Sequence, residues 1–381
     1  MDNANRFLED SKDILYSVDK HLVDWLNERK PTDFPKTTSS GDTFPNRYKQ
    51  ACIKLDPFHE DVKTMALMHD AIDMSEKGTF DSDRLIYLNN HGKGHVATVI
   101  HKATDILKNS TCSLTPYEGY ILLMAIQFHD VGIVFGRKDH NLNCRKIMAD
   151  LGNAIGVDEP EKRMIVKISA CHGGEILDSK DTIAHLLPVD MLMGQKIRPT
   201  LLAAILRLAD ELADDVSRSS SAIVNLGEMP ACSELFHQYS LSLQPAIVTK
   251  GIINLRYDID KTDLKRKYLK YAKSKNNKIR KIRSYLIDEI YQRTWKMYNE
   301  LIYCNRFFRP YMDINQVDVL IEIVDYDKDL FQNDSEKIHY VLKEIGYPGF
   351  ESFDIFSFCP SLRKKTGGIL CRKFHESTKE N

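Results

Sequence analysis

The chain has 381 residues, 43% hydrophobic and 28% charged, with only 18 Gly and 13 Pro, which excludes both a short binding peptide and a disordered chain. Its 53 Lys and Arg stand against 54 Asp and Glu for a net charge of -1, so no global basic field holds nucleic acid and any phosphate-binding surface is local. The 8 cysteines form no CxxC pair, which argues against a zinc ribbon and a thioredoxin-type site. With acids where a secretory leader needs bases, and no run long and apolar enough to span a bilayer, the sequence reads as a reduced, cytoplasmic protein with no membrane partner.

From Asn3 to about Glu28 the apolar residues Phe7, Leu8, Ile14, Leu15, Val18, Leu22, Val23 and Leu26 recur at helical spacing and predict an N-terminal helix. Residues 30–47 carry Pro31, Pro35 and Pro45 in a polar setting and predict a loop or linker, so residues 1–80 read as an N-terminal helical segment with its linker. Residues 81–230 read as a helical domain. One helix opens at His95 after the flexible Gly92-Lys93-Gly94, and another opens at Thr115-Pro116-Tyr117-Glu118, a capping box with proline in the first turn. Further helices are expected at Leu142–Leu151, Glu159–Cys171 and Thr200–Ala213. Residues 231–381 read as a smaller α+β domain with strands at 252–259 and 317–324, one or two long helices between them, and a helix at Glu336–Ile345. The fold expected is mainly α.

Of the 13 histidines, His91, His95, His101, His129, His140, His172 and His185 fall within residues 91–185. Several sit at expected helix ends, where side chains converge on a cavity without filling the core. His129-Asp130 ends one helix, His172 ends another and His140 opens a third. Adjacent imidazole and carboxylate groups can reach one divalent ion, and the carboxylate can bridge two. Asp210 lies in the apolar run Leu206-Arg207-Leu208-Ala209-Asp210-Glu211-Leu212, where burying a carboxylate is costly unless it binds something.

His95, His129-Asp130 and Asp210, in that order, resemble the H…HD…D pattern of the HD superfamily of metal-dependent phosphohydrolases. Gln127-Phe128-His129-Asp130-Val131-Gly132 is similar to its HDxG element, and the run 206–212 is similar to LRLADEL. The resemblance covers roughly residues 83–220 and implies a helical HD-type metal-binding domain with His95, His129, Asp130 and Asp210 as ligands of a first ion. It also implies catalytic roles for Asp130 and His129. His140 and His172 lie where dinuclear members carry further ligands, although Cys171 stands where many have a second histidine and Ile133 where a lysine often follows HDxG. The Gly346-Tyr347-Pro348 triplet is too far downstream to match the family's GYP element.

The chemistry implied is hydrolysis of a phosphate ester or anhydride with one or two divalent ions, for which an imidazole-rich set suits Mn, Fe, Co, Ni or Zn better than Mg alone. Lys93, His91, Lys138, Arg207 and Arg218 are candidate substrate-side groups, and Asp214, one turn after Asp210, is a candidate acceptor for a ligand histidine. Each of these also has the plainer reading of a solvated or salt-bridged residue. Lys250 to Arg283 carries a local excess of basic residues with interleaved tyrosines, which reads as a solvated helical face or linker, as a nucleic-acid contact, or as a surface for homo-oligomer formation. The function expected is hydrolysis of a nucleotide, whether a dNTP, an NTP or a nucleotide second messenger. The alternatives are an HD-type nuclease on single-stranded DNA or RNA and a non-catalytic nucleotide-sensing module of a signalling or defence system.

Overall fold

The computed structural model describes residues 15–36, 42–68, 91–136, 138–219, 230–273, 279–309, 311–325, 336–344 and 354–376. The chain divides into two compact units, each discontinuous in sequence. The first comprises Met1–Met65, His91–Ala213 and Tyr303–Ile314, and the second comprises Ala66–Asn90, Asp214–Ile302 and Asn315–Asn381.

The first unit is mainly helical. Strand β1 (Tyr16–Ser17) and helix α1 (Leu22–Asn27) occupy the described part of the stretch expected to be one long helix, and residues before 15 lie outside the described residues. The backbone there finds partners outside a helix: the Trp25 indole N–H donates to the Ser17 carbonyl, and the Leu22 N–H donates to the Thr104 hydroxyl. Helix α2 (Phe44–Met68) buries Phe44, Tyr48, Ala51, Leu55, His59 and Val62, a stripe at steps of three and four residues.

Helix α3 (Lys93–Lys108) is followed by strand β2 (Ser113–Leu114), which pairs antiparallel with β1, and by helix α4 (Pro116–Phe128). The capping box is formed. The Thr115 hydroxyl accepts from the Glu118 N–H at 3.1 Å and the Glu118 carboxylate accepts from the Thr115 N–H at 3.0 Å, an arrangement that contributes about 1 kcal/mol. Every residue of α4 is buried, so its apolar character marks a core helix. Pro116–Phe135 is long and apolar enough to cross a membrane, yet 89% of that window is buried inside the protein.

Helices α5 (His140–Leu151) and α6 (Glu159–Ala170) follow, within two residues of expectation. The antiparallel pair β3 (Asp190–Leu192) and β4 (Gln195–Ile197) then interrupts what was expected to be purely helical. Met193 and Gly194, both at positive φ, form its two-residue turn. Helix α7 (Pro199–Leu212) is buried except at Asp210 and Glu211. Its start is tied to that of α4 by a buried fork, the Arg198 guanidinium donating to the Glu118 carboxylate at 2.6 and 2.8 Å.

The second unit carries helix α8 (Ala231–Ser242) and a sheet of strands β5 (Ile247–Thr249), β6 (Ile252–Asp260), β9 (Gln316–Val324) and β10 (Glu336–Lys343) in the order β10-β9-β6-β5. Strands β6 and β9 are parallel, with Leu255 opposite Val319 and Tyr257 opposite Ile321, all four buried. The short helix α9 (Lys261–Lys265) leads into a separate ribbon of β7 (Lys267–Lys273) and β8 (Ile279–Tyr285). Helix α10 (Leu286–Phe308) follows, its residues up to Ile302 belonging to this unit, and α11 (Ile355–Phe358) and α12 (Gly367–Glu376) close the unit.

Two expectations for this region are corrected. Glu336–Lys343 is a strand rather than a helix, because Ile338, Tyr340 and Leu342 are buried while Lys337, His339 and Lys343 are exposed, a period of two. The basic stretch is neither a helical face nor a linker, since its described residues lie largely in β6, β7 and β8. Gly346-Tyr347-Pro348 lies outside the described residues.

A candidate metal centre

The first unit brings six side chains from five helices and their flanks to one place. His95 sits in the first turn of α3, fully buried, with its Nε2 3.0 Å from Asp210 Oδ1 near the end of α7. His129 follows the last residue of α4, and its Nε2 lies 3.3 Å from His95 Nε2. Asp130 begins the tight turn Val131–Phe135. His140 opens α5 and His172 follows α6, their Nε2 atoms 3.2 Å apart.

Local sequence explains this placement. Gly132 lies against the start of α5 so closely that a Cβ there would fall 2.0 Å from the His140 carbonyl oxygen, so only glycine lets the HDxG turn approach that helix. Asp139, at φ 54 in the left-handed region that aspartate tolerates, redirects the chain into α5. The Asn141 amide donates to the carbonyls of Ala170 and Gly173 at 3.0 and 3.1 Å, locking the start of α5 to the turn that carries His172.

Asp130 divides its two oxygens between two groups of imidazoles. Oδ2 lies 3.3 Å from His129 Nε2, 3.5 Å from His95 Nε2 and 2.8 Å from His91 Nδ1. Oδ1 lies 3.4 Å from His172 Nε2 and 3.5 Å from His140 Nε2. Among the described residues, three triads have ligand atoms close enough for one ion: His91, His95 and Asp130; His95, His129 and Asp210; and Asp130, His140 and His172.

The Nδ1 atoms of His129 and His172 are held by backbone carbonyls, those of Ile126 at 2.6 Å and Ser169 at 2.7 Å. A neutral imidazole so held keeps its proton on Nδ1 and turns the Nε2 lone pair inward. Lone pairs facing one another at 3.2–3.3 Å beside carboxylate oxygens repel unless a proton or cation stands among them. Burial pushes the Asp130 and Asp210 carboxyls up and His129 down, but the opposite charges outweigh it. His129 and His91 hold Asp130 well below the usual carboxylate range, a hydrogen bond to His95 does the same for Asp210, and the two aspartates raise His129 to about 9. This buried set of imidazole nitrogens and carboxylate oxygens fits a divalent transition ion.

A family model for HD-CE, an HD-type domain, matches residues 81–294, more than half of the chain. The chain belongs to the HD-CE family. No curated protein and no solved structure matches it.

The other expected site residues of this HD-CE chain are distributed differently. Lys93 is exposed two residues before His95 and pairs with Asp56 at 2.7 Å, and Lys138 is exposed two residues before His140. Arg207 is buried, donating to the Thr182 hydroxyl at 3.0 Å with its guanidinium 4.5 Å from the centre of the Tyr303 ring. Asp214 and Arg218 belong to the second unit, where Asp214 accepts from Arg293 at 2.7 Å and from Ser240 at 3.1 Å and lies 3.9 Å from Arg218. Cys171 directs its thiol to the Thr182 carbonyl at 3.3 Å.

His91, expected as a substrate contact, lies within the cluster beside Asp130, and His59, for which the sequence carries no motif, stands next to it. The four-residue step from His91 to His95 was a usable sign, because it brings both rings to one side at the start of a helix. His59 stands in the buried stripe of α2 and lines a narrow crevice with Val62, His91, Val96, Gln127, Asp130 and Val131. Among the described residues its Nε2 has no hydrogen-bond partner. Burial lowers its pKa to about 4, so the ring is neutral near pH 7.

Proposed function

We propose that this HD-CE chain is a metal-dependent phosphohydrolase acting on a nucleotide phosphate ester or anhydride. The observation that carries the reading is the division of Asp130, with one oxygen among His91, His95 and His129 and the other between His140 and His172. A carboxylate so divided suits a bridge between two ions. His95, His129 and Asp210, with His91 beside them, would hold the first, and His140 and His172 the second. The imidazole-rich set favours Mn, Fe, Co, Ni or Zn over Mg alone.

Bound divalent ions supply positive charge for phosphoryl oxygens and lower the pKa of water at the site. The protein's own part is to orient and to exclude water. The carbonyls of Ile126 and Ser169 fix the tautomers of His129 and His172, while the core helix α4 and the buried helix α7 hold His129, Asp130 and Asp210 in place.

The test is incubation of the purified chain with Mn and a chromatographed panel of NTPs, dNTPs, cyclic dinucleotides and linear oligonucleotides. Turnover of one class that stops on chelation supports the proposal. Absence of turnover in a protein that retains bound metal contradicts it.

A further inference from the structure

We propose that the β7–β8 ribbon of the second unit is a sequence-independent binding surface for the phosphate backbone of nucleic acid. The inference does not depend on the phosphohydrolase reading. Residues 264–287 contain 10 Lys and Arg and no Asp or Glu, although the whole chain is nearly neutral at -1. Like charges gathered without counter-charge repel one another, and among the described residues Arg266 and Lys270 are paired with carboxylates.

The register places Lys267 opposite Tyr285, Leu269 opposite Arg283 and Tyr271 opposite Lys281 on one face, and Tyr268 opposite Ser284, Lys270 opposite Ile282 and Ala272 opposite Arg280 on the other. The second face is buried at Tyr268, Lys270 and Ser284 and exposed at Ile282 and Arg280, and Lys270 donates to Glu289 at 2.5 Å and to Gln292 at 2.8 Å. Arg266, just before the ribbon, pairs with Glu234 at 2.6 Å. These two cations are used by the fold itself.

Lys267, Arg280 and Arg283 are different, and Lys281 lies exposed among them. All four are exposed, and among the described residues no carboxylate pairs with Lys267, Arg280 or Arg283. Lys267 and Lys281 lie over the rings of Tyr285 and Tyr271, at 5.3 and 5.8 Å from their centres, which fixes their charge near the surface. Lys281 and Arg283 are two residues apart on one face, roughly 7 Å along an extended strand, a spacing comparable to that of successive phosphates along a nucleic-acid strand.

Charged residues on an exposed edge strand also prevent edge-to-edge pairing, but one or two lysines accomplish that. Among the ribbon side chains described, Ile282, 40% exposed, is the large apolar one in the open, less than the apolar wedge that a lipid bilayer favours. A polyanion with regularly spaced charges is the ligand that fits.

The experiment is fluorescence anisotropy of the full chain, in chelator and across a salt series, with labelled oligouridylate, oligothymidylate and a DNA duplex of equal length, and with labelled polyglutamate as a competing polyanion. The wild type should bind at least one nucleic acid more tightly than polyglutamate, with affinity falling as salt rises. Combined Lys267→Gln, Arg280→Gln, Lys281→Gln and Arg283→Gln should weaken binding at least about tenfold, and each lost cation should reduce the salt slope by about 0.7 on a single strand. The pair Lys281→Gln with Arg283→Gln, checked to melt as the wild type does, provides the same reading if the fourfold variant fails to fold. Asp130→Ala should bind as the wild type does. No binding at low salt, undiminished binding by the folded variants, or equal binding to polyglutamate would overturn the inference.

Discussion

Nε2 of His140 lies 3.2 Å from Nε2 of His172, and the same oxygen of Asp130 faces both, at 3.5 and 3.4 Å. The other oxygen of Asp130 faces His91, His95 and His129, so the bridging role proposed for Asp130 predicts two ion positions that separate by mutation. His140→Ala or His172→Ala is expected to leave about one ion per chain where the wild type holds two, while Asp130→Ala loses both. Elemental analysis of the purified proteins measures this. Equal metal content in all the variants would remove the bridging role of Asp130.

Metal should also stabilise the fold, since the cluster brings lone pairs and carboxylates together in a buried place. At a free-ion concentration a hundredfold above Kd, binding to the folded state alone adds about 2.7 kcal/mol. The melting temperature should therefore fall on chelation and recover on adding Mn or Zn. In Asp130→Ala the dependence on metal should be largely lost.

Gly132→Ala would place a methyl group 2.0 Å from the His140 carbonyl oxygen and 2.9 Å from the Cys144 nitrogen, both backbone atoms of α5. Overpacking of this kind costs about 1–3 kcal/mol, and relief requires α5 to move and take His140 with it. Denaturant titration should show the lost stability, and elemental analysis should show the second ion lost before the first. A variant as stable as the wild type would contradict the close approach.

His59 gives the stability of the first unit a pH dependence of known sign. Its folded pKa is lowered from 6.5 to about 4 by burial, so the unfolded chain binds the extra proton first on acidification. The contribution is fully present above about pH 6.5 and is lost as pH falls through about 4, a total of about 3 kcal/mol. Thermal unfolding from pH 7.5 to 4.5 should fall more steeply for the wild type than for His59→Gln, and parallel curves would contradict the buried neutral imidazole.

The buried Glu118–Arg198 fork joins the starts of α4 and α7, the two helices that lead to His129-Asp130 and to Asp210. Arg198→Ala leaves a carboxylate buried without its partner and is expected to cost about 3–5 kcal/mol. Urea unfolding measures it. A loss below 1 kcal/mol would show that water reaches Glu118.

Much of this was legible in the sequence where local chemistry decides the structure. The capping box at Thr115, the proline after it and the glycine two residues after Asp130 announced α4 and its exit, and the all-apolar run before Asp210 announced a core helix carrying one costly carboxylate. The family resemblance added the pairing of His95 with Asp210, which sequence spacing cannot supply. The failures lie where tertiary partners decide. The N-terminal apolar spacing was compatible with a helix, but pairing of Tyr16 with Leu114 and of Ser17 with Ser113 made part of it a strand. Glu336–Lys343 alternates in a period of two once β9 is beside it, yet its Val341 and Leu342 also suited a helix. Within the basic stretch the strand at 252–259 was legible, but from Lys265 onward basic residues break the apolar pattern, and the ribbon there is specified by pairing between β7 and β8. His59 was passed over because a lone histidine in a helical stripe carries no motif.

Whether Asp130 organises a working centre is measured most directly by comparing metal content and nucleotide turnover in the wild type and Asp130→Ala, prepared and reloaded with Mn in the same way. Loss of several kcal/mol of charge stabilisation predicts that the variant binds no ions and turns over at least about a thousandfold more slowly, with the wild-type rate rising as the second equivalent of metal is added. Turnover by Asp130→Ala at the wild-type rate, or a wild type that hydrolyses nucleotides without bound metal, would contradict it.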